Sequence, residues 1–121
     1  MPKGNFFLNR LRSIRYAFKG AFLLIKNESS IKIQIFIAAF VVLCGFYFDI
    51  SPNEWILQLF AIGLVLTAEG FNTAIEKTAD FIHPEHHHKI AVIKDISAGA
   101  VLIAAVTAFV TGLIIYFPKI F

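Results

Sequence analysis

Polar material is what this 121-residue chain is short of. Charged residues make up 16% of it and hydrophobic residues 58%, against roughly 25% and 45–50% in an ordinary soluble domain. That balance excludes a disordered or collagen-like chain and leaves too little polar surface to coat a globule. The one cysteine, Cys44, sits in an apolar run without a partner, so an intrachain disulfide is excluded and no redox role is indicated. The seven glycines form neither GxxxxGK[ST] nor GxGxxG, so neither common phosphate-cradling loop is present. There is no alternation of basic and aromatic residues of the kind a nucleic-acid module carries. A chain this short would struggle to hide so much apolar surface in a core of its own, whereas a bilayer supplies apolar surroundings directly. The composition therefore predicts one small integral membrane domain spanning residues 1–121.

What the chain does have is three long apolar stretches and one amphipathic one. Residues 31–48 form an apolar run relieved only by Lys32 and Gln34, and Asp49, Ser51, Pro52 and Asn53 stop it with turn chemistry. A second stretch, 55–76, is apolar as far as Ala68 and then turns polar without a helix breaker. A third, 96–117, is long enough at about 1.5 Å per residue to cross a hydrocarbon layer of roughly 30 Å, and Pro118 is expected to end it. All three should be helices, because a lipid-exposed segment must satisfy its own amides and none shows the alternation of barrel strands. Over residues 6–27, Leu8, Leu11, Ile14, Phe18, Phe22 and Ile25 recur every three or four positions, with Arg12, Arg15, Lys19 and Lys26 on another face. That pattern predicts a helix lying along the membrane surface and not a signal peptide. The expected fold is thus all-α, a surface helix followed by three transmembrane helices.

Seven of the eleven lysines and arginines lie at or before Lys32, the connection from Asp49 to Glu54 has none, and Lys77, Lys89 and Lys94 lie between the second and third spans. The positive-inside rule then places the N-terminus and the longer loop in the cytoplasm. This asymmetry accounts for the pI near 9.2, so no nucleic-acid partner is needed to explain it.

The chemistry lies where the second span turns polar. At 100° per residue Glu69, Glu76 and Asp80 fall within about 20° of one helical line, flanked by Asn72 and Thr73. Asp80, and in part Glu76, read as solvated charges past the hydrocarbon, but Glu69 belongs near its inner boundary, where a carboxylate marks a functional site. Such acids can bind a hard cation through oxygen, as Mg²⁺ prefers when it also holds phosphates, or one can serve as a base. Glu28 adds an acid where the surface helix meets the first span, and Lys94 and Asp95 open the third, with Lys94 suited to phosphate oxygens. On the expected topology these groups share one level of the membrane.

The run Glu69-Gly70-Phe71-Asn72-Thr73-Ala74-Ile75-Glu76, then Asp80, then Lys94-Asp95 followed by Ala98-Gly99-Ala100-Val101-Leu102, resembles the signature of the prokaryotic diacylglycerol kinase family, which includes undecaprenol kinases. The resemblance covers nearly the whole chain. It implies a homotrimer in the bacterial inner membrane that transfers the γ-phosphoryl group of ATP to a lipid hydroxyl at the cytoplasmic interface. Carried over by position, it implies Glu69 as catalytic base and Glu28 and Glu76 as ligands of Mg²⁺, with both also contacting nucleotide. Tyr16, Glu85, His86, His87, Lys94 and Asp95 match nucleotide-contacting positions, and Asn72, Asp80, Arg12 and Ala98 site-ordering or substrate positions. The sequence departs from the pattern at Gln34, where one diacylglycerol kinase branch carries an acid and undecaprenol kinases carry His, and at Asn9, a position often Arg. The segment Ser30-Ile31-Lys32-Ile33 and the ending from Gly112 to Lys119 look more like the undecaprenol kinase branch.

Two other readings compete. A small oligomeric proton-coupled transporter or channel would use Glu69, but a coupling carboxylate belongs near the midplane with access from both sides. A scaffold held by the small-residue seam Ala100, Ala104, Ala108 and Gly112 would leave the acids unexplained. His83, His86, His87 and His88 are read as a polar loop rather than a zinc site, since no cysteine joins them and Pro84 interrupts the spacing. Trp55 reads as an interfacial anchor.

Overall fold

The computed structural model describes residues 5–121. These form four helices, α1 (Phe6–Asn27), α2 (Ser29–Tyr47), α3 (Pro52–Ile82) and α4 (His88–Ile120). The last three are long and apolar enough to cross a membrane, and α1 is the amphipathic segment, with no buried residue along its length.

The joints between helices follow from local chemistry. Asn5 caps α1 by accepting the Phe7 N–H at 2.9 Å, as a short amide side chain does at a helix start. Between α1 and α2 a single residue, Glu28, leaves helical geometry (φ −107°, ψ 117°), while its N–H still bonds Leu24 O and its carbonyl accepts from Lys32, both at 3.2 Å. The chain therefore turns without leaving these two groups unpaired. α2 ends in a Schellman arrangement: Asp49 takes the left-handed conformation (φ 50°), and the N–H groups of Asp49 and Ile50 return to Phe46 O and Gly45 O at 3.3 and 3.1 Å. A short polar side chain tolerates that conformation where a branched one would not. Ser51 and Glu54 form a reciprocal capping box and Pro52 occupies the first turn of α3, which fixes where the second crossing begins. His87 starts α4 by accepting the Lys89 N–H on Nδ1 at 3.1 Å.

α3 has 31 residues and α4 33, about 46 and 50 Å of helix, so both outrun a hydrocarbon layer of roughly 30 Å. They run past the apolar stretches 55–76 and 96–117 at both ends, because nothing in Lys77–Ile82 or His88–Asp95 breaks a helix. Pro118 does not end α4 as the sequence reading expected; the helix continues to Ile120. A proline this close to a C-terminus forfeits one intrahelical bond. The turn beyond it is held by the Phe121 N–H on Phe117 O at 3.0 Å, by the Phe117 and Phe121 rings at 4.9 Å, and by Lys119 Nζ on Glu54 Oε2 at 3.0 Å.

Packing centres on the antiparallel pair α3 and α4, against which α2 and then α1 lean. Ala104, from the small-residue seam of α4, is buried, so this part of the seam serves packing within the chain. Gly45 lets α2 approach α3: a Cβ there would stand 2.7 Å from the Trp55 ring, closer than packed atoms tolerate. At the same end the single O–H of Tyr116 of α4 is shared between two acceptors, Val41 O of α2 at 3.2 Å and Gln58 Oε1 of α3, locking three helices at one depth. Few of the described side chains are buried, Ile31, Val65, Ala104 and Ile115 among them, while Phe36, Phe60 and Phe109 are largely exposed. That surface suits lipid as the solvent.

Candidate active site

The end of the bundle opposite the Tyr116 lock gathers the polar residues. Glu28, at the joint between α1 and α2, is reached by Lys77 of α3, Nζ to Oε1 3.2 Å. One turn or two along, Leu24 of α1 lies against Gly70, where a Cβ would come within 3.2 Å of its Cδ2. These contacts set the α1–α2 joint against the Gly70–Lys77 face of α3. On a second face Asp80 meets Lys94 of α4, Oδ1 to Nζ 2.5 Å. On α3 itself Asn72 donates through Nδ2 to Glu76 Oε1 at 3.2 Å. The Asn72 Oδ1 is sealed from solvent and has no hydrogen-bond partner among the described residues.

Register then fixes the depth of Glu69. The pairs Gln58–Tyr116 and Asp80–Lys94 bracket α3 against α4, and counting between them brings Glu69 level with Ala105. The contacts of Gly45 with Gln58 and of Glu28 with Lys77 do the same for α2, whose residues around Gln34 share that level. Glu69 is half-buried and stands about 10 Å of helix axis inward of Glu76, so it lies just inside the polar layer.

The remaining expected site residues divide in two. Lys94 opens onto the acid cluster, but its Nζ is held by Asp80 and not free to meet an anion without exchanging partners. Asp95, the next residue, and Ala98, one turn along α4, are exposed. Glu85, His86 and His87 lie in the connection between α3 and α4, where His83 Nδ1 contacts Glu85 O at 2.7 Å and the His83 and His87 rings pack at 5.1 Å. Arg12 and Tyr16, with Arg15 and Lys19, line a concavity on α1. The structure does not bring Tyr16 to the acids of its own chain: it stands twelve positions before Glu28, about 18 Å along the axis.

The sequence reading missed Lys77 as the partner of Glu28, and it missed the lock of Gln58, Tyr116 and Val41. Its only usable signal for the first was a lysine one residue after Glu76 on the cytoplasmic side. Among the described residues no group of three or more His, Cys, Asp and Glu side chains is placed to hold a metal ion. A cation here would take two carboxylates at most and complete its shell from a phosphate-bearing ligand or water, which is the habit of Mg²⁺.

Comparison with known proteins decides the family. A family model described as Prokaryotic diacylglycerol kinase matches residues 15–116. The chain belongs to the prokaryotic diacylglycerol kinase family. A Bacillus subtilis (strain 168) protein named undecaprenol kinase is 36% identical over 114 residues, which cover 93% of each chain. Proteins named diacylglycerol kinase from Haemophilus influenzae and Escherichia coli (strain K12) are 29% and 28% identical, across 88% and 90% of this chain and 92% and 89% of their own. As a member of this family the protein is an enzyme, a membrane lipid kinase, and its three apolar helices make it a multi-pass bacterial membrane protein.

Proposed function

We propose that the enzyme works in the inner membrane with its N-terminus and the α3–α4 connection in the cytoplasm, as a homotrimer, and transfers the γ-phosphoryl group of Mg-bound ATP to a membrane lipid alcohol. The observation that carries this reading is the pairing of Glu28 with Lys77 and of Asp80 with Lys94 at one end of the bundle, with Glu69 half-buried just inside them. A water-borne triphosphate and a lipid hydroxyl can meet only at such a level. Six of the eight acids belong to the end that holds these pairs, and none lies between the level of Glu69 and the Glu54–Lys119 pair at the far end, which disfavours the proton-coupled transporter.

In this reading the lipid O–H gives its proton to a Glu69 carboxylate oxygen as the lipid oxygen forms its bond to the γ-phosphorus. The bond from phosphorus to the β–γ bridging oxygen breaks, and ADP departs. Such a reaction depends on positioning and charge compensation more than on covalent chemistry. The donor set suits Mg²⁺: Glu28 and Glu76 supply carboxylate oxygens, and the unpartnered Asn72 Oδ1 beside Glu76 is a third hard donor. Bound there, the metal would neutralise phosphate charge. Lys94 and Asp95, with Tyr16, Glu85, His86 and His87, contact the nucleotide, while Asp80 holds Lys94 until phosphate takes its place. Arg12 and Ala98 border the substrate.

The higher identity to the protein named undecaprenol kinase favours undecaprenol over diacylglycerol. Purified enzyme given labelled ATP with both alcohols side by side tests the whole reading. Label in undecaprenyl phosphate supports it; label in phosphatidate alone reverses the substrate, and label in neither defeats the reaction as written.

A further inference from the structure

Along the described length of α1 the apolar stripe of Leu8, Leu11, Ile14, Phe18, Phe22 and Ile25 is exposed. Leu24 lies off that stripe, and it is the one aliphatic or aromatic side chain of the helix drawn inward to partial burial. Its seat is a notch in α3. A Cβ at Gly70 would stand 3.2 Å from Leu24 Cδ2, so the missing side chain is what lets the leucine settle there. Glycine inside a 31-residue helix is unfavourable on propensity alone; here it serves a close approach.

The notch adjoins the base, because Gly70 directly follows Glu69. The last bond of α1 joins Leu24 to Glu28, the Glu28 N–H donating to Leu24 O at 3.2 Å, and Glu28 in turn meets Lys77. Leu24 at Gly70 therefore stands about 10 Å along α3 inward of the Glu28–Lys77 pair. Counting from that pair sets Ile31, 1% exposed, at the level of Ala74 between the two. Burial along α3 follows the same order: Glu76 and Lys77 are exposed, while Glu69 and Gly70 are partly buried.

Such a gradient bears on a choice that a kinase with a general base must make. A carboxylate that takes a proton from a lipid hydroxyl can take one from water, and the γ-phosphorus accepts either oxygen. Both acceptors are O–H groups, so what separates them is access to the site.

We infer that Leu24, seated in the Gly70 notch, is a specificity-determining residue that keeps water from Glu69, so that the γ-phosphoryl group passes to the lipid alcohol. In the reaction it suppresses, a water oxygen bonds to the γ-phosphorus and one water proton goes to a Glu69 carboxylate oxygen. The bond to the β–γ bridging oxygen breaks, and ADP and inorganic phosphate leave. The inference rests on the lipid-kinase reading and adds the selection of acceptor to it. Leu24 takes no part in the bonds that change; it occupies the space that water would need.

Leu24→Ala empties the notch and adds no new group. ATP hydrolysis without any alcohol should rise about tenfold, and with alcohol present less phosphorylated lipid should form per ADP released, while the transfer rate itself changes by less than about twofold. Leu24→Met, of similar volume, should keep the wild-type ratio. Leu23→Ala, at a neighbouring side chain that is 46% exposed, is the control and should leave both rates unchanged. A leucine that only stabilises the fold would, when shortened, lower hydrolysis and transfer together. That outcome, or an unchanged ratio at full activity, overturns the assignment.

A second measurement is independent of turnover. Glu69→Cys in a Cys44→Ser background leaves a single thiol, at the position of the base. A cationic, water-soluble methanethiosulfonate should modify that thiol about tenfold faster once Leu24→Ala is added, because thiol reactivity follows access. Equal rates with and without Leu24→Ala show that Leu24 does not cover Glu69. If the wild type phosphorylates no alcohol, the kinase reading fails and acceptor selection falls with it. If the wild type phosphorylates alcohol while neither the ratio nor the thiol rate responds to Leu24→Ala, only the role of Leu24 is wrong.

Discussion

Lys77 on α3 holds Glu28, the one non-helical residue between α1 and α2, with Nζ 3.2 Å from Oε1. The lysine side chain is 70% exposed and the glutamate 25%. An ion pair this wet contributes about 0–1 kcal/mol, too little to hold the carboxylate against a divalent cation. The pair thus reads as a placeholder: Lys77 keeps Glu28 aimed at α3 and yields to a metal-bound triphosphate.

If so, Lys77→Met should lower the Mg²⁺ concentration for half-maximal turnover by a few-fold while shifting unfolding in detergent by less than about 1 kcal/mol. Glu28→Gln should raise that concentration. Mg²⁺ titrations of both variants that superimpose on wild type would remove Glu28 from the metal shell.

Glu69→Gln keeps the shape of the side chain and removes its basicity. Turnover should fall by about 10²–10⁴-fold, the range a positioned general base supplies, with KM for ATP and the oligomer unchanged. The readout is single-turnover transfer alongside size-exclusion chromatography. A variant that keeps wild-type turnover assigns proton removal to some other group.

The crossings, the amphipathic α1 and the joint at Asp49–Pro52 were all legible in the sequence, because each is written in local terms: an apolar run, a helical period, a capping residue. The acid cluster was legible for the same reason, since Glu69, Glu76 and Asp80 share a face of one helix. What local pattern cannot express is which residues of different helices meet. Glu28 with Lys77, Asp80 with Lys94 and Gln58 with Tyr116 are separated by 14 to 58 positions, and their pairing depends on helix register. Pro118 misled because its effect on a helix is cheap in the last turn and severe elsewhere, and the ion pair of Lys119 with Glu54 that holds that turn is itself a long-range contact.

The lock at the far end of the bundle has a measurable worth. Tyr116→Phe removes the one O–H that Val41 O and Gln58 Oε1 share, and Gln58→Leu replaces the amide with an apolar group of similar size. A double-mutant cycle on unfolding in micelles should give a coupling of about 0.6 kcal/mol and no more than about 1.7 kcal/mol, the range found for side-chain bonds between membrane helices. Gln58→Leu alone should cost less than Gln58→Ala, because both remove the Nε2 that has no partner among the described residues but only leucine leaves no cavity. A coupling of zero would mean the hydroxyl and amide do not bond in the folded protein.

Tyr16 stands about 18 Å along α1 from the Glu28 of its own chain, yet the nucleotide reading asks both to contact one ATP. A neighbouring copy resolves this if its α1 brings Tyr16 to the acids of the first. Tyr16→Ala and Glu69→Gln would then disable different halves of a shared site, and co-refolding them one to one should restore activity. In any closed ring that randomly mixes the two, a site drawing Tyr16 from one copy and Glu69 from the next is intact with probability one half times one half, so about a quarter of wild-type turnover returns. A site built within one chain would have every copy defective, and mixing would restore nothing. The two arrangements are therefore separated by a single assay of the mixture against its unmixed components.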